Sequence, residues 1–272
     1  MKKVLIVFDG KSFSSGAFEF AKHLNSVEKI MLTGVFIPQI NYSHLWSYTD
    51  AMAGTAIMPL ATTDEDSQVS KSIGRFEELC RQNDITYTVH KDYFDFALPE
   101  LKKETRFADL LLLSGERFYH HSSSNKNNEH IKDALQASEC PVIVIPETFQ
   151  LPSTIILAYD GSVSSVYAIK QFAYLFSQLE IKHTFLVFAS KDEKEIPDER
   201  NIIELVSQHY QNVKVFKFHN HRKEFISWLD EKRGAILVSG SFGRSAISLV
   251  FRESFVNDIL SAHKIPVFIA HK

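Results

Sequence analysis

The feature that most constrains the fold of this chain is an internal repeat. The segment Val4–Gly10, which reads VLIVFDG, recurs as Ile155–Gly161, which reads IILAYDG. Each copy runs into a serine-containing turn and then an apolar-striped helix. Each half closes on a matching Pro-Val strand, at Cys140–Ile145 and at Ile265–Ala270. Repetition on this scale indicates two copies of one domain, so any binding site should occur twice unless one copy has lost it.

The length of 272 residues agrees with two domains of the usual size, roughly 100–200 residues each. We place the first domain at 1–147 and the second at 152–272. The linker around 146–153 is short and contains Pro146 and Pro152. We therefore expect the two domains to pack closely.

Short apolar runs alternate with amphipathic stretches in both halves, which predicts βαβ units, a parallel sheet and helices on both of its faces. Strands are expected at 4–8, 30–37, 85–90, 110–113, 141–145, 154–159, 184–188, 213–218, 235–239 and 266–270. Helices are expected around 17–24, 65–82, 97–106, from about 130, and at 164–179, 199–210, 223–232 and 254–263. The fold class is therefore α/β, with two tandem doubly wound domains of five parallel strands each.

Composition excludes several classes of function. The net charge of −3 argues against a dominant role in nucleic-acid binding. The sequence contains no run of about 20 apolar residues, the length that is needed to span a membrane. Two cysteines, Cys80 and Cys140, make no disulfide framework and are expected to be buried thiols. The segment after Met1 is too short for a signal peptide, so a cytoplasmic protein is expected.

The two halves differ in charge. Residues 1–150 hold 15 Lys and Arg against 20 Asp and Glu, a balance of −5, whereas residues 151–272 hold 15 against 13, a balance of +2. An anionic ligand would be better tolerated in the second half.

A glycine-containing loop follows the fourth strand of the second half. Ligands of open parallel sheets bind beyond the carboxyl ends of the strands, where the strand order reverses. Gly240 and Gly243 would let the backbone approach a ligand, and a helix N-terminus near Ser254 would favour an anion. Donors suited to phosphate oxygens come from Ser241, Arg244 and Ser245. The same spacing also fits a tight turn followed by an N-cap serine, with no ligand.

These residues resemble those of the universal stress proteins, and the resemblance covers both halves. Domains of that family begin with an apolar strand ending in Asp-Gly-Ser, as at Asp160–Ser162, and end with Pro-Val and an apolar strand. The ATP-binding branch of the family carries G-x2-G-x9-G-[S/T] after the fourth strand. Gly240 and Gly243 match the first two glycines and Ser254 matches the final position, whereas Glu253 replaces the third glycine.

The resemblance implies a strand order of 3-2-1-4-5 and an ATP or ADP site with Mg²⁺ in the second half. Asp160 and Gly161 would belong to the cofactor-binding site, where Asp160 would contact the nucleoside or assist the metal ion. Phosphate would be cradled by Gly240, Ser241, Gly243, Arg244, Ser245 and Ser254. By resemblance to how single-domain members pair, the fifth strands at 141–145 and 266–270 would join the halves into an intramolecular pseudo-dimer. A parallel sheet core would explain the same apolar runs without any interface.

Glu253 weakens the second site. A carboxylate about 4 Å from a phosphate charge costs from ~1 kcal/mol in water to ~4 kcal/mol at an effective dielectric near 20. The first half departs further from the ATP-binding motif of the family, because Lys11 follows Asp9–Gly10 and Phe118 stands where the second glycine would be. We expect the first half to bind no ATP in the family's manner.

Three functions are compatible with these residues. The first is a stress-response regulatory module with an adenine nucleotide in the second half and a protein partner. The second is a protein-interaction member of the same fold that binds no nucleotide. The third, slow ATP hydrolysis, has no evident general base, so no catalytic residue is assigned.

Neighbouring histidines at 120–121 and 219–221 lack partners at metal-ligand spacing. The aromatic insertion at 39–64 is either a lid or partner loop or a surface excursion, and further homodimerisation is left open.

Overall fold

The computed structural model describes residues 1–8, 13–36, 63–91, 97–114, 134–135, 137–179, 183–189, 195–218, 225, 227–229, 231–240 and 265–270. Its strands are β1 (Lys2–Phe8), β2 (Ile30–Phe36), β3 (Thr86–Lys91), β4 (Leu110–Ser114), β5 (Val142–Ile145), β6 (Thr154–Tyr159), β7 (His183–Ala189), β8 (Val213–Phe218), β9 (Ala235–Gly240) and β10 (Val267–Ala270). Its helices are α1 (Ser15–Val27), α2 (Thr63–Gln82), α3 (Ala97–Arg106), α4 (Val163–Leu175) and α5 (Glu199–His209). Residues 134–135, 137, 225 and 227–229 are also helical.

The strands form one ten-stranded sheet in the order β3-β2-β1-β4-β5-β10-β9-β6-β7-β8. Each half therefore has the order 3-2-1-4-5, and neighbouring strands within each half run parallel. The prediction of a doubly wound α/β fold with this strand order is confirmed. The two halves share a single sheet rather than forming two separate ones.

The halves meet at their fifth strands. β5 and β10 pair antiparallel, with Val142 opposite Ile269, Ile143 opposite Phe268, and Val144 opposite Val267. Antiparallel pairing is expected where two copies present the same edge to each other, because a two-fold axis reverses the strand direction. This contact between the fifth strands was one of two explanations of their apolar sequence, and the structure confirms it.

Each face of the sheet carries a hydrophobic core that continues across both halves. On one face, α1 and α2 pack beside α4 and α5, and the buried aromatic rings of Phe8, Phe76, Phe172 and Phe268 belong to this core. On the other face the core includes Leu111 and Val142 from the first half with Leu237 and Phe225 from the second. Strands covered on both faces read as continuous apolar runs, as β4, β5, β9 and β10 do.

Helix α4 is shorter than its sequence pattern predicts, because it ends at Leu175 rather than at 179. Phe176 leaves the helical path with φ −123° and ψ 31°. Its ring then packs against Phe172 at 4.8 Å and against Phe268 at 6.0 Å between ring centroids. Packing at the junction of the halves thus ends the helix earlier than local propensity would. The predicted helix at 254–263 and most of the 39–64 insertion lie outside the described residues.

Both cysteines are buried thiols, as expected. Cys80 is fully buried among α1, α2 and the sheet, and Cys140 lies in the core of the opposite face. Burial raises the pKa of each thiol to about 12. The thiolate, which is the reactive form, is therefore scarce at neutral pH.

We expect neither cysteine of the native protein to react with a disulfide reagent at pH 8, where about one thiol in ten thousand is ionised at a pKa of about 12. In guanidinium chloride both should react, because unfolding returns the thiols to water and to a pKa near 8.5. The number of thiols modified with and without denaturant measures this. Rapid reaction of one native thiol would mean that its pocket opens readily.

Candidate functional site

The fold has two places where the strand order reverses, one in each half. In the first half the reversal lies between β1 and β4, and in the second between β6 and β9. Open parallel sheets bind their ligands at such reversal points, beyond the carboxyl ends of the strands. In the second half, Asp160 and Gly161 follow β6, while Gly240 ends β9. Three predicted site residues therefore lie at the reversal point.

The carboxylate of Asp160 shapes the first loop. Its Oδ1 accepts a hydrogen bond from the backbone N–H of Ser162 at 2.9 Å, which is the turn that an aspartate makes with the backbone two residues on. Ser162 is in turn the N-cap of α4, and its hydroxyl accepts from the backbone N–H of Ser165 at 3.1 Å. The carboxylate is thus fixed between the end of β6 and the start of α4.

Gly161 is required by both its conformation and its surroundings. Its φ of +78° lies in the left-handed region, where residues with a Cβ are strained. A Cβ there would also lie 2.9 Å from Cβ and 3.0 Å from Cγ of Pro197. The hydroxyl of Tyr159 donates to the carbonyl oxygen of Pro197 at 2.8 Å, and burial raises the pKa of that tyrosine. The connection before α5 is therefore fastened over the end of β6.

Gly240 brings β9 against the first turn of α4. A Cβ at this position would lie 2.6 Å from the carbonyl carbon of Ser164 and 2.6 Å from the backbone nitrogen of Ser165. Such a contact leaves no room for any side chain. The glycine that the sequence assigns to phosphate binding thus also allows α4 to reach the reversal point.

Strand register shows which residue of the first half corresponds to Gly240. Leu112 pairs with Ile6 and Val238 pairs with Leu157, and these residues lie in the same core on the same face. Two residues further along, the equivalent positions are Ser114 and Gly240. The sequence alone suggests matching Ser114-Gly115 with Ser239-Gly240, which is displaced by one residue.

In the first half a carboxylate lies beside Ser114, the residue equivalent to Gly240. Ser114 donates through its hydroxyl to Oε1 of Glu147 at 2.9 Å. Oε2 of Glu147 accepts from the backbone N–H groups of Ser15 and Gly16, at 3.0 and 3.2 Å, in the first turn of α1. Glu147 is therefore an acid at a helix N-terminus, where the helix dipole favours negative charge.

Sequence reasoning missed the roles of Glu147 and Pro197. Glu147 could have been noticed as the acid that follows the last strand of the first half, where the second half has Lys272. No sequence signal identifies Pro197, because its contact with Gly161 joins residues from two separate loops.

The remaining predicted site residues lie outside the described residues, namely Ser241, Gly243, Arg244, Ser245 and Ser254. The same holds for Glu253 and for the compared positions of the first half at 9–11 and 118. The neighbouring histidines at 120–121 and 219–221 also fall outside.

The part of the chain that the structure describes holds no group of three or more His, Cys, Asp or Glu side chains placed to bind a metal ion. Among the same residues, no helix combines the length and the apolar character needed to cross a bilayer.

Three solved structures are similar to this chain over almost its whole length. A universal stress protein from Archaeoglobus fulgidus DSM 4304 has a TM-score of 0.70 at 14% identity, with 100% of this chain and 96% of that one covered. A putative universal stress protein from Pseudomonas aeruginosa UCBPP-PA14 has a TM-score of 0.54 at 10% identity, covering 99% and 93%. A functionally unknown protein from Pseudomonas aeruginosa PAO1 has a TM-score of 0.55 at 10% identity, covering 99% and 92%.

The chain thus has the fold of the universal stress proteins, as its sequence motifs predict. At identities this low the likeness shows the fold alone. No protein-family model and no curated protein matches the sequence.

Proposed function

We propose that this chain is a tandem universal stress protein that acts as a stress-response regulatory module and binds an adenine nucleotide, ATP or ADP, in its second half. The observation that carries the proposal is the difference between the two reversal points. In the first half the helix N-terminus is occupied by the Glu147 carboxylate, whereas in the second half β9 ends on Gly240 beside the first turn of α4.

The described residues support a nucleotide at the second reversal point in two ways. Asp160 is held by its hydrogen bond to Ser162 at the end of β6, and Gly240 lies against the first turn of α4. A nucleoside hydroxyl and a phosphate group could therefore be contacted from adjacent strands. The residues that follow Gly240 in the sequence, from Ser241 to Ser245, supply hydroxyl and guanidinium donors suited to phosphate oxygens.

The charge of the second half also favours an anion. Its balance of +2 contrasts with −5 in the first half. Glu253 opposes phosphate binding, and a bound Mg²⁺ would relieve its repulsion. Mg²⁺ would supply charge neutralisation to the phosphates, and Asp160 would be a carboxylate available to it at that end of the sheet.

The test is calorimetric titration of nucleotide-stripped protein with Mg-ATP, comparing the wild type with Arg244→Ala. We expect one site per chain in the wild type. Loss of one charge-assisted hydrogen bond, about 1.5–3 kcal/mol, should weaken binding in the variant by roughly tenfold to a hundredfold.

Arg233→Ala is the matched control. Arg233 lies just before β9, so the strand separates it from Gly240 by about 17 Å at the usual rise per residue. We expect this variant to bind Mg-ATP within about twofold of the wild type. Equal weakening by both variants would indicate a general charge effect rather than a phosphate site. Two sites per chain would contradict the assignment of binding to the second half.

A second candidate function is protein interaction without nucleotide. Glu253 favours it, because it stands where the ATP-binding motif has glycine. Absence of heat with Mg-ATP, ADP and AMP in the wild type would support this function instead. Slow hydrolysis would require turnover that disappears in Asp160→Ala.

A further inference from the structure

Three hydrogen bonds to Glu147 bring together three separate parts of the first half. Its Oε2 accepts from the N–H groups of Ser15 and Gly16, and its Oε1 accepts from the hydroxyl of Ser114. Ser114 is 3% exposed, so its hydroxyl points to Glu147 from within the protein. Helix α1, strand β4 and the segment after β5 thus meet at one carboxylate.

These bonds complete the N-terminus of α1. A helix leaves its first N–H groups without partners inside the helix, and these groups are what bind an external anion. Here Ser15 and Gly16 donate to Glu147, and the N–H of Ala17 donates to the hydroxyl of the N-cap Ser14 at 3.3 Å. The N–H of Phe18 already bonds the carbonyl oxygen of Ser14. The groups that could hold an anion are therefore used internally.

Gly16 has no side chain at a position where the main chain after β5 comes very close to α1. A Cβ on Gly16 would lie 2.2 Å from the carbonyl oxygen of Pro146 and 2.9 Å from Cα of Glu147. Any larger residue would push away the segment that carries the carboxylate. Glycine at this position lets the main chain after β5 approach closely enough for Glu147 to reach the helix.

The repeat allows Glu147 to be compared with the residue at the equivalent position of the second half. Ile143 and Phe268 pair at the junction and occupy equivalent positions in β5 and β10. Counting four residues on from each gives Glu147 in the first half and Lys272 in the second. The sequence thus has an acid in one copy and a base in the other at the same repeat position.

We infer that Glu147 is a built-in anion of the first half, whose carboxylate fills the position between the α1 N-terminus and β4 that an external anion would occupy. The first half is closed by its own chain, and recognition of an external anion is left to the second half. The closure of the first half does not depend on whether the second half binds nucleotide.

Chemical rescue of Glu147→Ala tests this. The substitution deletes the CH2–COO⁻ group beyond Cβ, which corresponds in size and charge to an acetate ion. The donor groups of Ser15, Gly16 and Ser114 remain in place. We expect the melting temperature to fall by several degrees. Adding sodium acetate should recover at least half of that fall at an acetate concentration where an equal concentration of sodium chloride recovers none. Acetamide, which has the same shape and no charge, should also fail.

Glu139→Ala is the matched control, since Glu139 is an acid of the same half that pairs at the surface with Arg106 at 2.7 Å. We expect little change in its melting temperature and no specific effect of acetate. Equal responses of the two variants to acetate would overturn the inference.

Glu147→Gln covers the case in which the alanine variant does not fold. Glutamine keeps the size of the side chain but loses the charge and presents N–H groups to donors. We expect its melting temperature to fall and acetate to leave it unchanged, because the position is already filled. Wild-type stability in this variant would contradict the need for an anion. A failed Mg-ATP titration would remove the proposed nucleotide site but leave every acetate result intact.

Discussion

Replacing Phe268 by alanine is expected to lower the free energy of unfolding by about 3–5 kcal/mol, which is the usual cost of deleting a buried aromatic ring. Phe268 is fully buried, and it pairs with Ile143 across the junction of the halves. Its ring lies edge-on to Phe172 at 5.2 Å and to Phe176 at 6.0 Å. The cavity would open where both halves meet, and rigid strands on either side would limit its collapse. Urea denaturation measures the loss.

Phe107→Ala is the control for this prediction. The same atoms are removed, but Phe107 is 65% exposed and follows α3 at the surface. We expect its free energy of unfolding to stay within about 0.5 kcal/mol of the wild type. A loss below about 1 kcal/mol for Phe268→Ala would mean that the junction is not packed around this ring.

Gly240→Ala is expected to lower the free energy of unfolding by about 1–3 kcal/mol, the usual cost of adding a methyl group to a filled site. The new Cβ would lie 2.6 Å from two backbone atoms, one in Ser164 and one in Ser165. Backbone atoms cannot rotate aside as a flexible side chain can, so α4 would have to shift as a unit. Under the proposed function, the same shift would weaken nucleotide binding, which titration of the folded variant would measure.

Gly74→Ala provides a control of opposite sign. Gly74 lies inside α2, and a Cβ there would meet no atom within 4 Å. Alanine in a helix interior is favoured over glycine by about 0.5–1 kcal/mol, so this variant should be more stable than the wild type. If both glycine substitutions changed stability in the same direction, the tight contact at Gly240 would not be the cause.

The strands and helices were largely predictable because their patterns are local. Helix α3 begins and ends where the sequence predicted, at Ala97–Arg106, and β8 does likewise at Val213–Phe218. Alternation and helical periodicity reflect the geometry of a few consecutive residues. Where tertiary packing competes, the prediction fails by a few residues, as at the end of α4 near Phe176.

The correspondence between the two halves was less predictable. Ser114-Gly115 and Ser239-Gly240 look alike, yet strand register and core membership align Ser114 with Gly240. A displacement of one residue turns every side chain of a strand to the other face, so only the pairing with neighbouring strands decides it. Sequence similarity over two residues cannot replace that information.

Of the predicted nucleotide-site residues, the structure places Asp160, Gly161 and Gly240 at one reversal point. The sequence indicated these three through motif spacing. It gave no indication that Pro197 contacts Gly161, because the two residues lie 36 positions apart and belong to different loops. The assignments of Ser241, Gly243, Arg244, Ser245 and Ser254 stay predictions.

The sequence by itself determined that the chain is a repeat of βαβ units and that the fifth strands are apolar. It could not determine why they are apolar, since burial under helices and pairing with another strand require the same residues. Tertiary structure decided that β5 pairs with β10 and that Glu147 reaches the start of α1 from more than 130 residues away. A hydrophobic pattern indicates that a residue is buried. It does not indicate which distant residue covers it, because that contact is made only in the folded chain.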